Sequence, residues 1–155
     1  MPDTVARVLG MGAITGLRST AGPAALSRSV ADGRVEGLEG TPFAILGSPR
    51  VSTALRLMEI GEMVVDKLPV TPSRTSPPPL LGRMASGGLV GAARYASENR
   101  RAAAGGVLGA AAALAAAYAG ERLRLRAAEK LGVPDPVVAF FEDGLVLLAG
   151  ARLLR

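Results

Sequence analysis

From Ala102 to Gly120 the chain runs without a charged side chain, AAAGGVLGAAAALAAAYAG, and in a protein of 155 residues nothing constrains the fold more. A helix of that length and polarity reaches across bilayer hydrocarbon, because its backbone satisfies its own hydrogen bonds there. Alanine is barely hydrophobic enough to insert by itself, so this helix has to lean on neighbours. Gly105 and Gly109 give it a GxxxG face that another backbone can approach closely. Two further apolar segments carry the same spacing, Gly12 with Gly16 and Gly87 with Gly91. One such pair means little in a chain with 20 glycines, but one pair on each of three apolar segments points to close helix packing in lipid.

Composition narrows the class further. Hydrophobic residues make up 49% of the chain and aromatics only 3%, so small side chains stand where a water-soluble core takes Leu, Ile and Phe. The chain has no Cys and no His, which removes the disulfide, the thiol nucleophile, the imidazole base and the usual zinc ligands. No metal and no cofactor is expected, and an intramembrane enzyme is the weakest functional class because no serine has a base beside it in the pattern. The net charge is +5, but Arg is scattered at segment ends, and two Tyr with three Phe offer little for base stacking. Basic flanks around apolar segments meet membrane lipid headgroups, so lipid is the expected partner and nucleic acid is not.

The segments follow in order. The first apolar run covers about residues 4–26, retained rather than cleaved, with Arg18 inside it and Gly22-Pro23 expected to kink or break it. A charge near the centre of a spanning helix costs about 2.5 to 3.5 kcal/mol, so Arg18 should face protein, water or a carboxylate. Ser27 to Arg50 reads as a loop with one re-entrant or interfacial turn at Phe43 to Leu46. Residues 51–68 form an amphipathic helix with Glu59, Glu62 and Asp66 on one face, Arg56 and Lys67 at its edge, and Leu55, Met58, Ile60 and Met63 to Val65 on the other. At 1.5 Å per residue it reaches about 27 Å, which makes it interfacial or half-spanning.

Pro69, Pro72, Pro77, Pro78 and Pro79 then keep the chain extended as a stiff connector that also carries Arg74. Segments 80–96 and 102–120 are the next apolar helices, followed by a polar, basic piece from Glu121 to Val133. The last segment is 135–154, with Asp135 at the N-cap and Pro136 at the first helical position. Glu142 and Asp143 fall near its middle, where two adjacent acids cannot both be charged and unpaired in hydrocarbon.

The expected fold is therefore all-α, a small polytopic transmembrane bundle of about four or five membrane segments in one domain, in the cell membrane. Arg18, Glu59, Glu62, Asp66, Lys67, Arg74, Arg83, Glu142 and Asp143 are the candidates for a polar interior. Two mechanisms fit them: carboxylates that carry a small cation or a proton, as in a transporter or channel, or ion pairs that lock helices in a scaffold or assembly protein. Lys and Arg divide almost evenly between the two sides of such a bundle, which allows dual insertion and an antiparallel dimer. The GxxxG faces add the expectation of a homo-oligomer.

At these same residues the chain resembles a known family. GLRS-x-x-GPAAL (Gly16 to Leu26), E-x-V-x-DKLP (Glu62 to Pro69), TPSRT-x-PPPLLGR (Thr71 to Arg83), a Gly/Ala-rich helix and PDPVVA-x-x-ED (Pro134 to Asp143) occur in the order of the bacterial membrane proteins grouped as the domain of unknown function 4126 family. The resemblance covers nearly the whole chain, and DKLP and the late ED are its most specific pieces. It implies a small, mostly helical integral membrane protein without an established activity. Longer members carry a more acidic stretch after DKLP where this chain has Thr71 to Pro79, so any role of those acids does not carry over.

Overall fold

The computed structural model describes residues 2–65 and 75–131, together with Val137, Gly144, Val146, Leu148 and Ala149. The elements are α1 (Pro2–Leu17), α2 (Ala21–Ala31), a 3₁₀ turn (Pro42–Gly47), α3 (Pro49–Val65), α4 (Pro77–Ala96) and α5 (Ala102–Leu131), and no strand occurs among the described residues.

The centre is α5, with α4 packed along one side and α1 along another. Small residues set both contacts. A Cβ on Gly87 would come within 2.7 Å of both the Ala113 Cβ and the Gly109 carbonyl oxygen, and one on Gly91 would strike the Gly105 carbonyl oxygen. The pairs 87 with 109 and 91 with 105 define an antiparallel register. Further along the same register, the Thr75 hydroxyl donates to the Glu121 carboxylate. On the α1 side, a Cβ on Gly12 would lie 2.6 Å from the Gly109 oxygen and one on Gly16 would strike the Ala113 oxygen, so α1 runs parallel to α5. Gly109 is thus touched by backbone from both sides. The three glycine pairs are taken up within one chain, and a contact with a second copy needs another face.

The turn from α4 to α5 is short because Asn99 takes the left-handed region, at φ 55°. Its N–H donates to the Ala96 carbonyl (3.0 Å) and the Arg100 N–H to the Tyr95 carbonyl (2.9 Å), a Schellman closure with Asn in the place glycine usually takes. The Arg100 guanidinium lies 4.3 Å from the centroid of the Tyr95 ring. Glu98 pairs with Arg94 at 3.0 Å and accepts from the Thr4 hydroxyl at 2.6 Å, which pins the start of α1 to this turn.

Several boundaries differ from expectation. The first run breaks at Arg18 to Thr20 rather than at Gly22-Pro23. Pro23 sits in the first turn of α2, where the missing N–H has no intrahelical partner to lose, and Gly22 packs against Thr15 of α1. Ser27 to Ala31 continue α2 rather than opening the loop, and Phe43 to Leu46 form the 3₁₀ turn, whose Leu46 carbonyl accepts from the buried Ser27 hydroxyl at 2.6 Å. Pro77, Pro78 and Pro79 are not extended; they make the first turn of α4 for the same reason that Pro23 is tolerated. Residues 121–131, read as a separate polar piece, continue α5. Asp135 and Pro136 lie outside the described residues, while Val146 and Ala149 of the last segment pack against Ile14, Leu17 and Ala21.

The bundle holds a hydrophobic cluster of Met11, Leu26, Val35, Leu38, Leu46, Val90 and Ala93. Elsewhere the partition is inverted. Arg18 and Arg83 are 3% and 4% exposed, while Leu81, Val107 and Leu123 are 65%, 72% and 71% exposed. Of four or five expected membrane segments, one described helix is long and apolar enough to cross a bilayer, Ala102–Ala127. Only 22% of its most apolar stretch is buried, whereas the core helix of a water-soluble domain is mostly covered.

Gly82 and Gly87 give a paired test of this packing. Gly82 meets nothing within 4 Å, so Gly82→Ala should gain about 1 kcal/mol of helix propensity. Gly87→Ala should instead lose about 1 to 3 kcal/mol through overpacking against α5. Thermal unfolding of the two variants in the same detergent, read against the unsubstituted protein, checks the opposite signs.

Candidate functional site

The break between α1 and α2 leaves backbone donors without helical partners. Arg18 N–H still donates to the Ile14 carbonyl at 2.9 Å, but the N–H groups of Ser19 and Thr20 point out of the helix. A carboxylate from α3 takes both. Glu62 Oε1 accepts from Ser19 N (2.9 Å) and Ser19 Oγ (2.8 Å), and its Oε2 accepts from Thr20 N (3.0 Å) and Thr20 Oγ1 (2.6 Å). Each oxygen receives one N–H and one O–H. An ionised carboxylate has acceptor sites for four donors and none to give, so the arrangement matches the charged side chain.

Glu62 reaches this position because residues 52, 55, 59 and 62 recur on one face of α3, with Ser52 buried and Leu55, Glu59 and Glu62 half-buried. The same face brings Glu59 within electrostatic reach of Arg18 and Arg28. From α4, Arg83 lies one turn before Gly87 on the face that turns inward, and its Nη2 is 3.8 Å from Glu62 Oε1. That distance is an ion pair rather than a hydrogen bond. The side chains of Arg83 and Glu62 are 5% and 14% exposed.

Of the expected interior charges, Arg18, Glu59, Glu62 and Arg83 are brought together at the break. Asp66, Lys67, Arg74, Glu142 and Asp143 lie outside the described residues. Arg18 does not sit in the middle of a spanning helix; it follows the last turn of α1 and is buried there. Ser19 and Thr20 were missed as site residues, although a Ser-Thr pair just before Gly22-Pro23 is a helix-start signal. Reading residues 4–26 as one span hid it. Arg28, in the stretch whose composition reads as a loop, lies on α2 and faces Glu59 electrostatically. Among the described residues no group of three or more His, Cys, Asp or Glu could hold a metal ion.

The site is a donor-rich polar centre built from three elements, and its best-placed acid is saturated. If the Arg83 and Glu62 charges stabilise each other, Arg83→Met and Glu62→Gln should be non-additive. A double-mutant cycle on unfolding free energy in detergent is expected to give a coupling of about 1 to 3 kcal/mol.

The family model described as a domain of unknown function (DUF4126) matches residues 5–152. No curated protein and no solved structure matches the chain.

Proposed function

Since the chain belongs to the DUF4126 family, whose description assigns no activity, we propose a function from the site: a small multi-pass protein of the cell membrane that moves a small cation or a proton along its polar interior. The observation that carries this reading is the inverted partition, with Arg18 and Arg83 inside and a run of apolar side chains outside. On α3 alone, Leu57, Met58, Ile60, Val64 and Val65 are exposed next to the half-buried Glu59 and Glu62. An exposed apolar patch of that kind suits lipid, and buried ionisable groups in such a setting mark pathways. The break between α1 and α2 adds support, because irregular backbone at membrane depth is tolerated where it lines a cavity or is covered by protein.

In this reading Glu59 is the exchanging carboxylate and Glu62 the fixed one. Glu59 is half-buried and faces the charges of Arg18 and Arg28, whereas both Glu62 oxygens are already filled. Glu142 and Asp143 are further candidates on the last segment. Helix α5, of 30 residues, reaches about 45 Å and supplies one crossing; α4, of 20 residues and about 30 Å, does not reach the apolarity of a spanning helix by itself and is assigned a second crossing because it packs along α5. The broken α1–α2 unit and segment 135–154 supply the other membrane segments. A homo-oligomer formed through the exposed apolar face of α3 fits the same arrangement.

The second reading is a scaffold or assembly protein whose charges only lock helices. The saturation of Glu62 favours it, because a carboxylate with four donors is a clasp between helices rather than an open ion site.

Proton, Na⁺ and K⁺ flux in proteoliposomes separates the two. Glu59→Gln should lower flux at least about tenfold, the loss of one essential charged group, while the unfolding midpoint stays near that of the unsubstituted protein. Absence of flux from the unsubstituted protein, reconstituted in either orientation, would leave the scaffold.

A further inference from the structure

The two ends of the α1–α2 unit lie at one place. At its start, the Thr4 hydroxyl donates to Glu98 in the turn between α4 and α5 (2.6 Å). Beyond α2, a Cβ on Gly37 would run into the Ser97 carbonyl of that same turn. Between these anchors the chain goes deep and comes back. Gly12 and then Gly16 follow α5 inward as far as Ala113 and Ala116, and after the break Gly22 lies against Thr15 while Leu26 joins Met11, Val90 and Ala93 in one cluster. Helix α2 therefore doubles back along α1. We propose that α1 and α2 form a re-entrant hairpin, which enters and leaves the membrane at the end of the α4–α5 turn and holds the break at Arg18 to Thr20 about halfway in, so that the polar centre opens to the opposite side.

Depth follows from the register on α5, whose uncharged stretch runs from Ala102 to Gly120. At 1.5 Å per residue Ala113, beside Gly16, is about 17 Å from Ala102 and about 14 Å from Arg122, the first cation past that stretch. Bilayer hydrocarbon is about 30 Å thick, so the break falls near its middle, and α2, with 11 residues and a length of about 16 Å, is too short to cross. Broken backbone at that depth is tolerated where protein covers it. Most of α2 is buried, and Glu62 fills the Ser19 and Thr20 donors. Toward the turn the break is closed off by Met11, Leu26, Val35, Leu38, Val90 and Ala93, each 5% exposed or less. That apolar plug leaves the far side as the approach for water and ions, where α5 continues past the level of Thr75 to the exposed Arg122 and Arg126. The sidedness rests on α5 crossing the membrane, as proposed above, and not on any flux.

The chain has no Cys, so pairs of introduced thiols report topology in the full-length protein. Spheroplasts and inverted membrane vesicles are each treated with a small anionic, membrane-impermeant methanethiosulfonate and then denatured. The thiols still free in each molecule are counted by gel shift with a polyethylene-glycol maleimide, which makes the result independent of the direction of insertion. Asp3, Glu36 and Glu129 are exposed. Asp3→Cys with Glu36→Cys should leave two free thiols or none, none in the preparation where two remain in the other, and Asp3→Cys with Glu129→Cys should leave one. Ser19→Cys with Glu129→Cys should again leave two or none, since the centre and the end of α5 are reached from one side. One free thiol for Asp3 with Glu36, while Asp3 with Glu129 also leaves one, overturns the hairpin and leaves the multi-pass reading standing. Two or none for Asp3 with Glu129 removes the crossing of α5, and the reading and the hairpin fall together. One free thiol for Ser19 with Glu129, whether Ser19→Cys reacts from the other side or from neither, overturns the opening to the far side. Should Ser19→Cys not fold, Glu59→Cys takes its place with the same expectation.

Discussion

Backbone-to-backbone contact at Gly109 is the constraint on which the rest of the arrangement depends. With hydrogen alone at Gly12, Gly87 and Gly109, α1 and α4 lie against α5 more closely than side chains allow. Close approach fixes register as well as distance, because each glycine of one helix must meet a carbonyl or a small side chain of the other. The antiparallel register of α4 on α5 and the parallel one of α1 place the end of α1 and the start of α4 at the same end of the bundle. Arg18 and Arg83 are brought together by that register, although 65 positions apart in sequence. A bulkier contact would shift the helices and separate the charges.

Polar groups then do what burial requires of them. Two buried arginines beside a helix break would be costly in any low-dielectric interior without an acid nearby. Glu62 meets that requirement for Arg83, Glu59 lies within electrostatic reach of Arg18, and Glu62 at the same time satisfies the orphaned N–H groups of Ser19 and Thr20. One carboxylate therefore stabilises three elements: the break in the first run, α3, which carries it, and α4 through Arg83. Its geometry also separates the two acids of α3. Glu62 is held by short, paired donors, whereas Glu59, one turn earlier, faces charges across space, and only the second has the freedom that ion exchange asks of a group.

Much of the local structure could be read directly. A helix from about residue 51, helices on 80–96 and 102–120, and the inward role of Glu62 and Arg83 follow from periodicity and from the cost of a charge in an apolar setting. Prolines are where local reading and structure part most clearly. Pro77 to Pro79 read as extended and Pro23 as part of a kink, yet each is in a first turn, where proline loses nothing. Whether a proline breaks a helix or begins one depends on which side the hydrogen-bonded turns lie, and that is decided by packing beyond the proline itself. The extension of α5 past Gly120 was hidden for a similar reason, since a change from apolar to polar composition marks a change of surroundings and not an end of helix.

By itself the sequence determined that the chain is helical, that its helices meet through small residues, and that its few interior charges must find partners, because propensity, spacing and the cost of a buried charge are local properties of residues. Only the tertiary structure decided which partners these are. Ser19 and Thr20 look unremarkable in the chain and become the principal ligands of Glu62 because α1 breaks beside them and α3 passes within hydrogen-bonding distance. That meeting spans more than 40 positions, and it rests on the helix register set at Gly12, Gly87 and Gly109, which no stretch of sequence states alone.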